Sequence, residues 1–199
     1  MAARKTRERV LGFDARETFV DPAKAWTPAR RREVLLRGDV AKPLSVDALV
    51  WPSVFHELPI PGCGGVAADL WDDLDEMRAA LAERREPAHR IVAVSWLSDD
   101  PFGKGGPRHG PRDALPCDLG PEWELLGYDV ADGSCVSGLS SCGYSPFERA
   151  ELAPSWGPKL NGAHLLPDPE DAFLYRALSD RRVSERAPFF VFALRALRP

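Results

Sequence analysis

The sequence predicts an α+β fold with a mixed or largely antiparallel sheet of four or more strands and with helices packed against it. Strand-like and helix-like segments do not alternate along the chain as they would in a doubly wound parallel fold. Two strand-like segments are apolar on both faces, which is typical of strands in the interior of a sheet. Proline, at 19 of 199 residues, is about twice as frequent as usual and favours short elements joined by long connections.

Four segments have the composition of β-strands, since they are rich in β-branched, aromatic and other apolar residues. They read RVLGFDA, HRIVAVSWL, EWELLGYDV and PFFVFALRAL, and they span Arg9–Ala15, His89–Leu97, Glu122–Val130 and Pro188–Leu197. The second and the fourth segments are apolar on both faces. We therefore expect these two strands to lie in the interior of the sheet.

The clearest predicted helix spans Val66–Arg85. Its apolar residues recur at intervals of three or four positions, which places them on one face of a helix: Val66, Leu70, Leu74, Met77 and Leu81. Two further helices are predicted at Pro146–Leu152 and Pro169–Leu178, and Asp168 has the residue type and position of an N-cap for the second of them. No internal repeat is visible in the sequence.

Length and composition favour one folded unit. Apolar residues make up 44% and charged residues 28% of the chain, which is close to the average of globular proteins. A chain of 199 residues is also long enough to bury a hydrophobic core. We expect a flexible N-terminus at residues 1–8 and a single α+β domain at residues 9–199.

Charge and hydropathy argue against several classes of partner. The formal net charge is −4, which does not favour binding to nucleic acid. No apolar run approaches the roughly 18 residues of a membrane-spanning helix, and the N-terminus lacks the apolar core of a secretory signal. We therefore expect a soluble cytoplasmic protein with no nucleic-acid or membrane partner, and an acidic chain of this kind prefers a basic protein partner.

The cysteine and histidine residues do not have the spacing of a metal site. Cys135 and Cys142 are farther apart than zinc ligands in a pair usually are, and Cys63 and Cys117 stand alone in the sequence. Without an export signal, free thiols are favoured over disulfides. The sequence thus predicts no metal and no other cofactor.

A small hydrolase or transferase is the alternative function. The turn from Cys135 to Cys142 is rich in serine and glycine, but it lacks the G-x-S-x-G spacing of a nucleophile elbow. A Cys142 nucleophile would need a histidine close in space, such as His109 or His164. In this alternative the site combines the Cys135–Cys142 turn, a histidine and a basic loop rich in glycine.

That basic loop joins two predicted strands and spans residues 98–121. It contains five glycines and five prolines and carries a cluster of basic side chains: Lys104, Arg108, His109 and Arg112. Backbone N–H groups beside these charges suit an anion or a recognition surface. The glycine spacing is not that of a P-loop.

A partner-binding surface is predicted on the clearest helix. Trp71 stands beside Asp72 and Asp73, and Glu76 follows one turn later. An aromatic anchor ringed by negative charge suits a basic protein partner. The alternative is that Trp71 widens the core-facing stripe of the helix.

One segment carries a family resemblance. WELLGYDVADGSCVSGLSSCGY, from Trp123 to Tyr144, resembles a segment of uncharacterised bacterial proteins, some of which are similar to immunity proteins of polymorphic toxin systems. Ser141 stands where that pattern has asparagine. The resemblance implies a non-enzymatic protein that binds and masks a cognate toxin, and it implies no catalytic residue. Together with the acidic charge, it favours an immunity protein as the function of this chain.

Overall fold

The computed structural model describes residues 6–17, 70–83, 89–98, 115, 117–132, 137–139, 146–161, 163 and 165–199. Four strands form one antiparallel sheet: β1 (Arg7–Glu17), β2 (His89–Ser98), β3 (Trp123–Asp132) and β4 (Phe189–Leu197). Their order across the sheet is β1-β2-β4-β3. The helices described are α1 (Leu74–Glu83), α2 (Pro146–Trp156) and α3 (Pro169–Arg182). The predicted α+β class is confirmed.

The two strands that are apolar on both faces, β2 and β4, lie side by side in the interior of the sheet, as predicted. β1 begins two residues before the predicted strand, because Arg7 and Glu8 pair with Ser98 and Leu97. The strand therefore reaches into the N-terminal segment that we expected to be flexible.

The predicted helix over Val66–Arg85 was wrong at its start, since α1 begins only at Leu74. Trp71 instead runs alongside β1, where its N–H donates to the Phe13 carbonyl at 2.8 Å and its carbonyl accepts the Phe13 N–H at 2.9 Å. The Asp73 carboxylate then accepts the N–H groups of Asp75 and Glu76, which fixes the start of the helix. The apolar period continued across this boundary because Leu70 is buried in an extended segment.

The other two helices begin as predicted and extend farther. α2 runs on to Trp156, four residues beyond the predicted end, despite Pro154 within it. Asp168 caps α3 by accepting the Glu170 N–H at 2.9 Å, as predicted from the Asp-Pro pair. α3 ends at Arg182, and Val183 follows as its C-cap.

The sheet has two apolar faces. One, here called the helix face, carries Phe13, Ala93, Tyr128 and Val191; α1 packs at one end of it, and α2 and α3 at the other. The opposite face carries large side chains of both inner strands: Val92, Val94, Trp96, Phe190, Phe192 and Leu194. Phe192 and Val94 are fully buried there, so the centre of the fold lies at the β2–β4 pair.

The described elements form two halves with the same plan, here called repeats, although no internal repeat is visible in the sequence. Val94 pairs with Leu194 at the centre of the sheet, and the β2–β4 pairs on either side of it, Val92 with Ala196 and Trp96 with Phe192, are related by a local two-fold rotation. The first repeat contains β1, α1 and β2, and the second contains β3, α2, α3 and β4. Each repeat thus contributes one outer strand and one inner strand.

The outer strands of the two repeats share a short sequence, Leu-Gly-Phe-Asp at 11–14 and Leu-Gly-Tyr-Asp at 126–129. In both strands the pairing register shifts immediately before the glycine. Each glycine accommodates a leucine of a flanking segment: a Cβ at Gly12 would lie 2.6 Å from the Leu70 Cβ, and one at Gly127 would lie 2.7 Å from the Leu165 Cβ. Close approach explains why glycine occupies both positions.

The same flanking segments protect both outer edges of the sheet. Trp71 pairs with Phe13 on the edge of β1, and Leu166 pairs with Tyr128 on the edge of β3. An aspartate-capped helix follows each bridge, α1 after Asp73 and α3 after Asp168. Bridges of this kind satisfy backbone groups that would otherwise offer an edge for pairing with another chain.

Candidate functional site

Trp71 lies before the start of α1 and packs into the fold, whereas the predicted acidic residues that follow it are exposed. Trp71 is half-buried and packs against the cluster that contains Phe13, Met77 and Trp123. Its backbone is held by the two hydrogen bonds to Phe13. It therefore anchors the start of α1 to the sheet and presents only part of its ring at the surface.

The acidic residues next to Trp71 form an exposed surface, here called the acidic turn: Asp72, Asp73, Asp75 and Glu76. Asp73 caps α1 and so has a structural role. Asp75 lies 3.3 Å from Arg78, an exposed pair that adds little stability. Negative charge at this position also stabilises the helix N-terminus.

The two other predicted sites lie outside the described residues. They are the basic cluster Lys104, Arg108, His109 and Arg112, and the turn from Cys135 to Cys142 except for Ser137, Gly138 and Leu139. Of the long loop, the structure shows Leu115 donating its N–H to the Val10 carbonyl at 2.8 Å, and Leu115 and Leu119 packing on the cluster around Phe13. Cys117 is an exposed free thiol whose pKa is raised by partial burial and by the charge of Asp118.

The described part of the resemblance segment is built into the core. The fully buried Asp129 carboxylate accepts the Ser137 hydroxyl at 2.6 Å and the Val130 N–H at 2.7 Å. Gly138 donates its N–H to the Val130 carbonyl at 2.8 Å and accepts the Tyr175 hydroxyl at 2.9 Å. These bonds hold the turn against the end of β3 and against α3, so this part of the segment has a structural role.

A polar cluster that the sequence analysis missed lies on the helix face, at the centre of the sheet. Val10, Ser95, Ala193 and Tyr128 occupy one row across all four strands, because each is paired with the next in the sheet register. Glu8 and Arg195 come from the adjacent rows on either side. Their side chains meet in a bidentate salt bridge, Nε to Oε1 at 2.8 Å and Nη2 to Oε2 at 2.9 Å.

The Glu8–Arg195 pair ties β1 to β4 across β2. The two side chains are 28% and 24% exposed, so the pair is reachable from solvent. Ser95 lies fully buried in the row that the pair crosses. No pattern of spacing in the sequence could have revealed this cluster, since Glu8 and Arg195 are 187 positions apart.

The electrostatics of this cluster keep the pair charged and the tyrosine neutral. Burial by itself would raise the pKa of Glu8, but hydrogen bonding and the charge of Arg195, with a contribution from Ser95, lower it below its ordinary value. Burial, together with the negative charges of Glu8 and Asp168, raises the pKa of Tyr128. At neutral pH the cluster thus contains a carboxylate, a guanidinium and a protonated phenol.

Within the described residues, no group of three or more histidine, cysteine, aspartate or glutamate side chains has the arrangement of a metal site. Among the helices described, none has the length and apolar character needed to cross a membrane. Comparison of the chain with protein-family models, curated proteins and solved structures found no match.

Proposed function

We propose that this protein is a non-enzymatic binding protein that recognises a basic protein partner through the acidic turn. In the fuller form of the proposal the partner is a cognate bacterial toxin domain, and the protein is an immunity protein that neutralises it. The toxin assignment rests on the resemblance of Trp123–Tyr144 to immunity-like proteins. The contact surface rests on the side chains of the acidic turn.

The observation that carries the contact surface is a difference between the two repeats. In the acidic turn, Asp72, Asp75 and Glu76 are exposed at the start of α1, and the Asp75 carboxylate lies 3.3 Å from Arg78. At the equivalent place in the second repeat, Asp171 forms a salt bridge with Lys159. Pro167 precedes the Asp168 cap there, in the position that Asp72 has before the Asp73 cap. The first repeat therefore presents three exposed carboxylates beside its helix cap, which complement a basic surface.

The test is affinity for the partner, isolated by co-purification from the source cell. The variant Asp72→Lys/Glu76→Lys reverses two charges and leaves the Asp73 cap intact. The control Glu170→Lys/Glu185→Lys changes the net charge by the same amount at exposed positions of the second repeat. We expect the first variant to weaken association and to reduce its salt dependence, with little change from the control.

Two results would contradict the proposal. Equal losses of affinity in both double variants would show a general charge effect and would remove the acidic turn from the interface. Turnover of a small molecule by the purified protein, with no protein partner recovered, would favour the hydrolase or transferase alternative.

A further inference from the structure

The polar cluster on the helix face contains hydrogen-bonding capacity that the fold does not use. A guanidinium has five N–H donors, and the salt bridge to Glu8 uses two of those on Arg195. In the described part of the chain, no other acceptor lies in hydrogen-bonding geometry with Arg195. The Nη1 donors remain for an external acceptor, on a side chain that is 24% exposed.

A second, independent observation comes from Ser95 beneath the pair. The Ser95 hydroxyl is fully buried, and no atom in the described residues forms a direct hydrogen bond of good geometry with it. It lies close enough to Glu8 to help lower the pKa of that carboxylate. The buried hydroxyl therefore extends the polar cluster beneath the Glu8–Arg195 pair.

An apolar side chain borders the charged group. Leu125 is the direct cross-strand partner of Arg195 and therefore lies on the same face of the sheet. It is 36% exposed and is one of the two large apolar side chains at the surface of the described residues. The other neighbour of Arg195 in the row is Ala93, which is too small to cover the guanidinium.

We propose that Arg195 and Leu125 form a binding site for a ligand that has a carboxylate next to an apolar group. In the unbound protein, the Glu8 carboxylate forms the salt bridge with the Arg195 guanidinium. Arginine recognises carboxylates through paired, charge-assisted hydrogen bonds, which is the geometry that Glu8 already adopts. The Tyr128 phenol is a further donor beside the pair. An incoming carboxylate binds the remaining donors of Arg195 or replaces Glu8 on them, and its apolar group packs on Leu125.

This inference is independent of the acidic turn and of the toxin assignment. It also predicts that removing the negative charge of Glu8 strengthens ligand binding. If Glu8 were only a structural tie, the variant Glu8→Gln would loosen the sheet and bind nothing new. If Glu8 competes with a ligand, the same variant binds the ligand more tightly, because a competing negative charge has been removed.

The experiment is a titration of the full chain with three small probes, followed by backbone amide NMR. N-acetyl-leucine has both the carboxylate and the apolar group, N-acetyl-glycine lacks the apolar group, and N-acetyl-leucinamide lacks the carboxylate. We expect saturable shifts at Leu125, Tyr128 and Arg195 with N-acetyl-leucine, weaker binding of N-acetyl-glycine, and no saturable binding of the amide. An amide that binds as well as the acid would overturn the proposal, as would the absence of shifts at these residues.

Three variants complete the test, each checked for folding by thermal denaturation. Arg195→Lys keeps the positive charge but loses the paired N–H donors of the guanidinium. This variant should bind N-acetyl-leucine at least about tenfold more weakly. Arg198→Lys, at an exposed arginine near the same chain end, is the matched control and should bind as the wild type does. Glu8→Gln should bind more tightly than the wild type, and weaker or unchanged binding by this variant would contradict the role of Glu8.

Discussion

The two repeats share one backbone plan but differ in the side chains at equivalent positions of the helix face. Phe13 in β1 corresponds to Tyr128 in β3, and Trp123 corresponds to Glu8. The rings of Phe13 and Trp123 contact each other with centroids 5.6 Å apart. At the equivalent place, the Glu8 carboxylate lies beside the Tyr128 phenol. An aromatic contact therefore fills the position between Phe13 and Trp123, whereas the equivalent position between Tyr128 and Glu8 contains the polar cluster.

What the repeats keep is what the backbone requires. Both keep the glycine at which a flanking leucine approaches, the bridge on the outer edge and the aspartate cap of the following helix. The two repeats differ in side chains that neither a close backbone approach nor a bridge nor a helix cap requires. The comparison teaches that the positions where the repeats diverge are the places to look for function, and four measurements can sharpen or break it.

The largest expected effect is in the opposite face, where Phe192 and Val92 occupy equivalent positions of the inner strands. Both are buried, and Phe192 is fully so. We expect Phe192→Ala to lower the free energy of unfolding by about 3–5 kcal/mol and Val92→Ala by about 2 kcal/mol, because fewer apolar atoms are lost. Urea denaturation of both variants measures the difference. Equal costs would show that the loss of apolar atoms does not set the cost at these two positions.

The glycines of the two bulges should give the next largest effect. Alanine at Gly12 or at Gly127 would force Leu70 or Leu165 to move, and overpacking of this kind costs about 1–3 kcal/mol. Gly127 also has a φ of +142°, which L residues rarely adopt, so Gly127→Ala should be the more destabilising of the two. Thermal melting compares the two variants. A larger loss at Gly12 would show that steric contact outweighs backbone conformation here.

The two helix caps should contribute smaller and similar amounts. Asp73→Ala and Asp168→Ala each remove an N-cap carboxylate, which costs about 0.5–2 kcal/mol. Asp73 accepts two N–H groups and Asp168 accepts one, so the cost at Asp73 should be equal or greater. Chemical denaturation of the two variants checks this order. If Asp73→Ala were neutral, the acidic turn would have no structural role and all its residues would be available for partner contacts.

The smallest expected effect is the pH dependence that Glu8 introduces. Its folded-state pKa lies below its ordinary value, so its contribution to stability is present above the unfolded-state pKa of about 4.3. That contribution is lost as the pH falls through the folded-state pKa. We therefore expect wild type and Glu8→Gln to converge in stability below about pH 4.3 and to differ most above it. Urea denaturation between acid and neutral pH measures this. A constant difference across that range would show that Glu8 contributes nothing through its charge.

The fold class and most element positions could be predicted because local patterns follow the physics of each element. β2 and β4 are apolar on both faces because both faces are covered in the interior of the sheet, and Asp168 before Pro169 caps α3 as its residue types indicate. The start of α1 could not be predicted in this way. Leu70 and Trp71 are apolar because they cover the edge of β1, and an extended segment happened to keep the helical period.

The sequence by itself determined the fold class, the inner strands and the cap of α3, since each depends on patterns among residues a few positions apart. Only the tertiary structure decided the tandem repeat and the Glu8–Arg195 cluster. The repeat was hidden because its two copies share little beyond a Leu-Gly-aromatic-Asp tetrapeptide, while strand pairing and close backbone approach define it. The cluster could not be predicted because its residues come into contact only when all four strands pair in this register. The pattern of charged and apolar residues along the chain does not specify that register between distant strands.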